Sequence, residues 1–511
     1  MVRIKNIQEV GFAHLFLCAV FCISSFFTYP TCAQEGIHII DVHNDILNLR
    51  IAKARLALEK INPDRESIGH YYYVKNLADV MELLINENTE LYKEYSDRED
   101  DYLKELKKLD DSDPYKLFYT AEIKMLWGLV KIQYGDDLKG GMSLRSAWNS
   151  IEKNIDNYPS FNPNFKTIGF LHVIFGAVPE SYSWILKLMG IKGDINKGME
   201  ELERVSRISP FWLEAQIVQT LVLANILNQQ MAALDKLEVL MRSKTESLFL
   251  RYLYNTTLIK SSESRKAMDG FTKLLMLNED YMYISQVQYY LGEVYLQQQD
   301  YVLARSFYSK FLDDYKGENF VKDAWFKVAL TYWLQGNVKL ARLHFDKAGK
   351  SGKTFVSPDK NADGILDEDE YPDKNLMQVR LATDGGFYEK ADRMLARMNE
   401  DMFESRNEKT QYYYRMARLK HKMGDHDKAI YFYLSAIKKA GNENWYYAPN
   451  SCLETGYIYQ EKGDIKKALF YFNRALEYKK HKYKSEIDLK ARTALESLMT
   501  EEPKKRKKES N

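Results

Sequence analysis

The sequence predicts an all-α protein, an α-solenoid of stacked helix pairs that follows a helical N-terminal region. Three observations predict it. Breakers are few, with 11 Pro and 25 Gly in 511 residues, which favours long helices and short connections. Aromatic residues are abundant, 37 Tyr and 24 Phe. They also recur together with small residues at a fixed period, the mark of a repeat architecture rather than of one compact core.

The first 33 residues read as a separate element. Arg3 and Lys5 give a positive start, Phe12 to Phe27 an apolar run, and Thr31-Cys32-Ala33 a small-residue cleavage site before Gln34. That order is a secretory signal peptide, and the run is shorter than the roughly 20 residues of a membrane span. A retained anchor is the alternative. Cleavage would remove Arg3, Lys5 and Glu9 and leave 71 basic against 71 acidic residues. Such a balance gives no electrostatic footprint for nucleic acid. Cys18, Cys22 and Cys32 would leave with the leader, so Cys452 alone remains and packing, not a disulfide framework, must hold the chain. The expected location is the periplasm or cell envelope.

The N-terminal region, 34–205, reads as helical with degenerate repeats. Its most apolar stretch, 168–190, reads as a buried helical hairpin, with an apolar contact surface as the alternative. Periodicity sharpens from 206 onward. Tyr290, Gly292 and Tyr295 precede Ala304, Tyr308 and Phe311; Trp325, Ala329 and Tyr332 precede Ala341, Phe345 and Ala348. Tyr413 and Ala417 precede Ala429, Tyr433 and Ala436; Cys452, Gly456 and Tyr459 precede Ala468, Phe472 and Ala475. With a degenerate repeat counted between the second and third blocks, starts are spaced 37, 50, 38 and 39 residues apart. The long interval holds an insertion, 349–374, and a degenerate repeat around Gly385-Gly386. Small residues at 292, 329, 417 and 456 let the first helix of each pair approach the second, and the aromatics fill the space between pairs.

This spacing is similar to that of tetratricopeptide (TPR) repeats, covering 206–348 and 375–482. A capping helix, 483–500, and a basic disordered tail, 501–511, complete the chain. The tail, Pro503 to Lys508, suits peripheral contact with anionic membrane or simple solubilisation. The resemblance implies that the inner face of each first helix binds a protein or peptide. At the matching positions stand Tyr289, Phe326, Leu330, Trp333, Tyr414, Arg418 and Tyr457, of the types that anchor interfaces.

The insertion carries a twelve-residue match to an EF-hand calcium loop, Asp359 to Glu370. Asp359, Asn361 and Asp363 supply side-chain oxygens, Gly364 the sharp turn, Ile365 a carbonyl, Asp367 a direct or water-mediated ligand, and Glu370 a bidentate carboxylate. Hard oxygen donors in a flexible ring suit Ca²⁺. Pro358 and Pro372 discourage continuous flanking helices, so the expected role is a structural clip rather than a sensor.

Nothing in the sequence gathers a catalytic site. Asp41-Val42-His43-Asn44-Asp45 resembles the metal-binding start of membrane dipeptidases, but the strand–helix alternation of their barrel is absent. No H-E-x-x-H, phosphate loop or nucleophile elbow occurs, and Cys452 falls on a core position. The expected function is a non-catalytic, protein-binding scaffold of the cell envelope. The alternative is a ligand- or glycan-binding accessory of an envelope transport system, with an aromatic-lined pocket in the N-terminal half.

Overall fold

The computed structural model describes residues 38–509, apart from 65–66, 179–185, 187–189, 207–210, 245–246, 278–279 and 368–370. The expected signal segment, Glu370 and part of the apolar stretch therefore lie outside the described residues. Those described are helical, with no strand among them. None of their helices is long and apolar enough to cross a membrane.

The N-terminal region comprises α1 (Ile39–Leu47), α2 (Ile51–Leu58), α3 (Ile68–Asn86), α4 (Thr89–Tyr95), α5 (Arg98–Leu106), α6 (Pro114–Gln133), α7 (Asp137–Asn157), α8 (Asn164–Gly176) and α9 (Ile195–Val205). α6 pairs with α7 and α8 with α9. Residues 168–175 of α8 are buried, which agrees with the core reading of that stretch as far as it is described. Helix pairs then follow in order: α10 (Trp212–Asn225) with α11 (Gln230–Ser243), α12 (Leu248–Lys260) with α13 (Ser264–Leu275), α14 (Gln286–Gln298) with α15 (Tyr301–Asp314), and α16 (Val321–Leu334) with α17 (Val338–Gly349).

The repeat chemistry acts as its spacing implies. A Cβ on Gly292 would sit 2.8 Å from the Tyr308 ring, and one on Gly456 2.6 Å from Phe472. Only glycine admits the partner helix's aromatic there. Four of the second helices begin with the same device. Asp300 accepts from Leu303 N–H, Asn337 from Leu340, Asp425 from Lys428 and Asp464 from Lys467, each an N-cap that fixes where the turn ends.

The insertion departs from the loop expected. Residues Ser357–Leu366 form a helix, α18, that packs on α16 and α17. Pro358 stands in its first turn, where a missing N–H is harmless. The chain then returns as α19 (Lys374–Asp384), which pairs with α20 (Tyr388–Leu395) and lies against α14 as well as α16. Gln299 donates to the Gln378 carbonyl at 3.0 Å and Lys390 to that of Gln298 at 2.7 Å. Here the solenoid folds back on itself. Two further pairs follow, α21 (Arg406–Lys422) with α22 (His426–Ala440), and α23 (Tyr447–Glu461) with α24 (Ile465–Glu477). The last helix, α25 (Lys484–Glu509), packs on both α23 and α24 and continues through the segment expected to be a disordered tail, whose Lys, Arg and Glu are good helix formers.

The N-terminal region is fused to the repeats, with one apolar core running from Val42 to Leu291. Glu87 ties the junction. It ends α3 in the left-handed conformation (φ 52°) and accepts from the Asn319 side-chain amide, while Gln286 donates to the Ile85 carbonyl at 2.7 Å. Burial pushes the Glu87 carboxyl up to about 7, against the pull of the Asn319 and Gln286 amides. Its folded pKa lies above the unfolded value, so its stabilising contribution is full below about pH 4.5 and is lost as pH rises through about 7. Glu87→Gln should therefore melt like the parent at pH 5 and higher than the parent at pH 8, by up to about 3 kcal/mol. Parallel thermal melts at the two pH values check this.

Candidate functional site

The fold-back decides the fate of the predicted inner face. Tyr289, Phe326 and Leu330 are buried, in one cluster with Ala362 of α18 and Met377 and Leu381 of α19. Tyr289 donates to Asp323 at 2.6 Å and receives Lys327 at 2.9 Å; Lys327 in turn pairs with Asp323 and Glu293. Trp333 is capped by Tyr371 (ring centroids 4.7 Å apart), donates to the Pro372 carbonyl at 2.9 Å and lies beneath Lys374. These four positions are interior or covered by the chain's own insertion, which corrects their reading as open groove residues. Tyr457 is half-buried against Phe472. Cys452 is buried, and burial pushes its thiol up to about 12, as an inert core position requires.

The described members of the calcium motif are not gathered round one point. Asp359, Asn361, Asp363 and Ile365 follow one another along α18, and Asp367 is its C-cap. Asp359 is fully buried, and its two carboxylate oxygens accept from the backbone N–H groups of Phe320 (2.6 Å) and Asp323 (2.9 Å). It thus caps α16 from another helix, where the local N-cap Phe320 supplies no side-chain acceptor. Asp363 pairs with Lys322 at 3.0 Å, and Lys482 donates to the Gly364 carbonyl at 3.1 Å.

Tyr414 and Arg418 do reach a common site. Where the folded-back repeats meet α12, α14, α18 and α25, they border a cleft of about 350 Å³. Its walls carry Lys260, Arg380, Arg415, Arg418 and Lys422 against only Asp384 and Glu486, with Tyr446 and Tyr483 beside them. Asp384 is held between Arg418 (2.7 Å) and Arg380 (3.4 Å). Although burial opposes it, Arg418, Arg380 and Arg415 together keep this carboxyl below its ordinary range. Burial would likewise raise the Tyr446 phenol, yet Arg415, Arg380 and Arg418 hold it below its ordinary value. Burial, and then the adjacent Arg418, lower the Lys422 ammonium. Arg415 is 4% exposed, and its Nε has no hydrogen-bond partner.

Arg380 carries no signal in the sequence, where a lone charge on a helix reads as a solvated face, until α19 and α21 are packed together. Arg415 was within reach of sequence reasoning, since it stands three residues before Arg418 on the same helix. A second cavity, about 510 Å³, lies in the N-terminal region between Tyr71, Tyr72 and Tyr102, with Arg55, Arg98 and Lys75 at its walls.

No curated protein matches this chain in sequence. Among solved structures, a tetratricopeptide repeat protein from Parabacteroides merdae aligns at 17% identity over 54% of this chain and 98% of its own, with a TM-score of 0.25. The apo form of the quorum sensor NprR from B. thuringiensis aligns at 12% identity over 86% and 97%, TM-score 0.30. The human IFIT1 dimer with m7Gppp-AAAA aligns at 15% identity over 86% and 95%, TM-score 0.35. Tetratricopeptide repeat family models match residues 286–317, 410–438 and 449–482. Those segments are α14 with α15, α21 with α22, and α23 with α24, so the helix pairs bordering the cleft include tetratricopeptide repeats.

Proposed function

We propose that this protein is a non-catalytic scaffold whose cleft holds an acidic segment of a protein partner. Tetratricopeptide repeats generally serve protein interaction, which gives the class. The observation that carries the finer reading is the surplus of cations in the cleft, five against two, with the buried Arg415 Nε unpartnered. Planar guanidinium groups beside tyrosine rings recognise carboxylates by charge-assisted, bidentate bonds and by stacking. The export of the scaffold to the cell envelope rests on residues 1–33 alone, and peripheral membrane contact on the basic residues 504–508.

A labelled oligoglutamate peptide tests the cleft. It should bind the full chain, weaken as salt rises, and lose roughly ten-fold in affinity on Arg418→Gln, as expected for a charge-assisted hydrogen bond. Lys422→Gln should weaken it without disturbing the Asp384 pair. Equal affinity for oligolysine, or indifference to both substitutions, would contradict the reading. A second reading has one observation in its favour. The tyrosine-lined N-terminal cavity suits a neutral or sugar-like ligand of the isolated chain, and binding of a neutral oligosaccharide, abolished by Tyr72→Ala, would select it.

Calcium binding by residues 359–370 is proposed as a separate property that has a structural cost. The ion would have to draw Asp359 away from the Phe320 and Asp323 N–H groups and unwind α18. Calorimetry at millimolar calcium should then show uptake accompanied by a loss of helical circular dichroism, and Asp363→Asn should suppress both. Uptake with no change in helicity would show that calcium binds elsewhere.

A further inference from the structure

The turn of one repeat and the end of the next bring three metal-binding side chains together, none of them lining either cavity. His421 lies near the end of α21, His426 opens α22 and Glu461 closes α23. One donor atom from each lies within 4.8 Å of the other two. Among the described residues this is the one group of three or more His, Cys, Asp or Glu so placed.

We propose that His421, His426 and Glu461 form a transition-metal site that fastens adjacent repeats. The spacing suits it. Tetrahedral bonds of about 2.0–2.1 Å place neighbouring donor atoms ~3.4 Å apart, and His426 Nε2 lies 3.6 Å from Glu461 Oε2. Bringing the third donor in needs a shift of at most about 1.4 Å, within the reach of side chains at a turn. Both histidines are half-buried and Glu461 is exposed, so the fourth position faces water. Two imidazoles and one carboxylate favour Zn²⁺ and its neighbours over Ca²⁺ or Mg²⁺, which prefer all-oxygen shells.

An outer layer supports the ligands. The Glu454 carboxylate lies 3.4 Å from His421 Nδ1, and the Tyr433 hydroxyl 3.3 Å from the same nitrogen. Groups that bear on the second nitrogen of a ligating imidazole hold its ring and tautomer for the metal. Because α21 and α23 also supply Arg415, Arg418 and Asn450 to the cleft, a bound ion would fix the pitch between the two helices that carry them.

The test uses the untagged full chain, stripped with a chelator and titrated with Zn²⁺ by calorimetry and with Co²⁺ by visible absorption. One ion per chain, a tetrahedral cobalt spectrum and a raised melting temperature are expected. Glu461→Gln should weaken zinc at least ten-fold, and His421→Ala with His426→Ala should abolish binding with helicity retained, the metal-free melt falling only by the loss of the His421–Glu454 contact. Asp363→Asn, in the acidic segment, should bind zinc as the parent does. Unaltered zinc affinity in the double-histidine variant, or no uptake by the parent at submillimolar zinc, would overturn the site. Should the double variant misfold, Glu461→Gln decides, since that side chain is exposed and its metal-free fold can be checked directly.

Discussion

The architecture depends on one buried carboxylate. Asp359, carried by a helix that the repeat pattern does not call for, accepts the first N–H groups of α16. A helix start that is buried without a local side-chain cap needs such an acceptor, and each hydrogen bond to it contributes about 0.5–1.5 kcal/mol. Burial pushes the Asp359 carboxyl up, and the two N–H donors oppose that shift. With α18 fastened to α16 in this way, the chain emerging from it is directed back over the repeats, and α19 comes to rest on α14. An ordinary solenoid leaves its inner face open along its length. This one closes part of that face with its own chain.

Closure changes what the repeat residues do. Tyr289, Phe326 and Leu330 stand at positions that an open array would present to a partner. Here they pack beneath Met377 and Leu381, and a buried ion network of Asp323, Lys327 and Glu293 replaces the contacts a ligand would make. A network satisfied in this way keeps the interface in one register. The same closure brings Arg380 and Asp384 of α19 to Arg415 and Arg418 of α21, and so creates a positively charged cleft that no single repeat contains. Open surface is lost at one end of the array and a confined cleft rich in cationic side chains is gained at the other.

The helix pairs were legible in the sequence because their determinants are local. Gly292 and Gly456 have a partner aromatic a fixed distance along the chain, and Asp425 and Asp464 cap helices three residues away. The burial of Cys452 followed from the same periodicity, and that of residues 168–175 from the density of apolar residues in that stretch. The fold-back was not legible, since it rests on contacts between residues tens of positions apart, such as Asp359 with Phe320 and Gln299 with Gln378. Residues 359–367 show the difficulty most plainly. Alternating oxygen-bearing residues with a central glycine satisfy a calcium loop, yet the same residues after a proline also satisfy a short helix whose first acidic side chain has a buried helix start to cap. Only the position of α16 decides between the two.

Hydrogen exchange on Asp359→Ala measures the central dependence directly. If that carboxylate holds the fold-back in place, exchange should quicken in 320–323 and 357–366 and also in the distant surfaces that the fold-back covers, 286–298 and 374–384, with Asp359→Asn intermediate because it keeps one acceptor. Faster exchange confined to 320–323, with 286–298 and 374–384 protected as in the parent, would show that the returning helix is held by its own packing and would contradict the account.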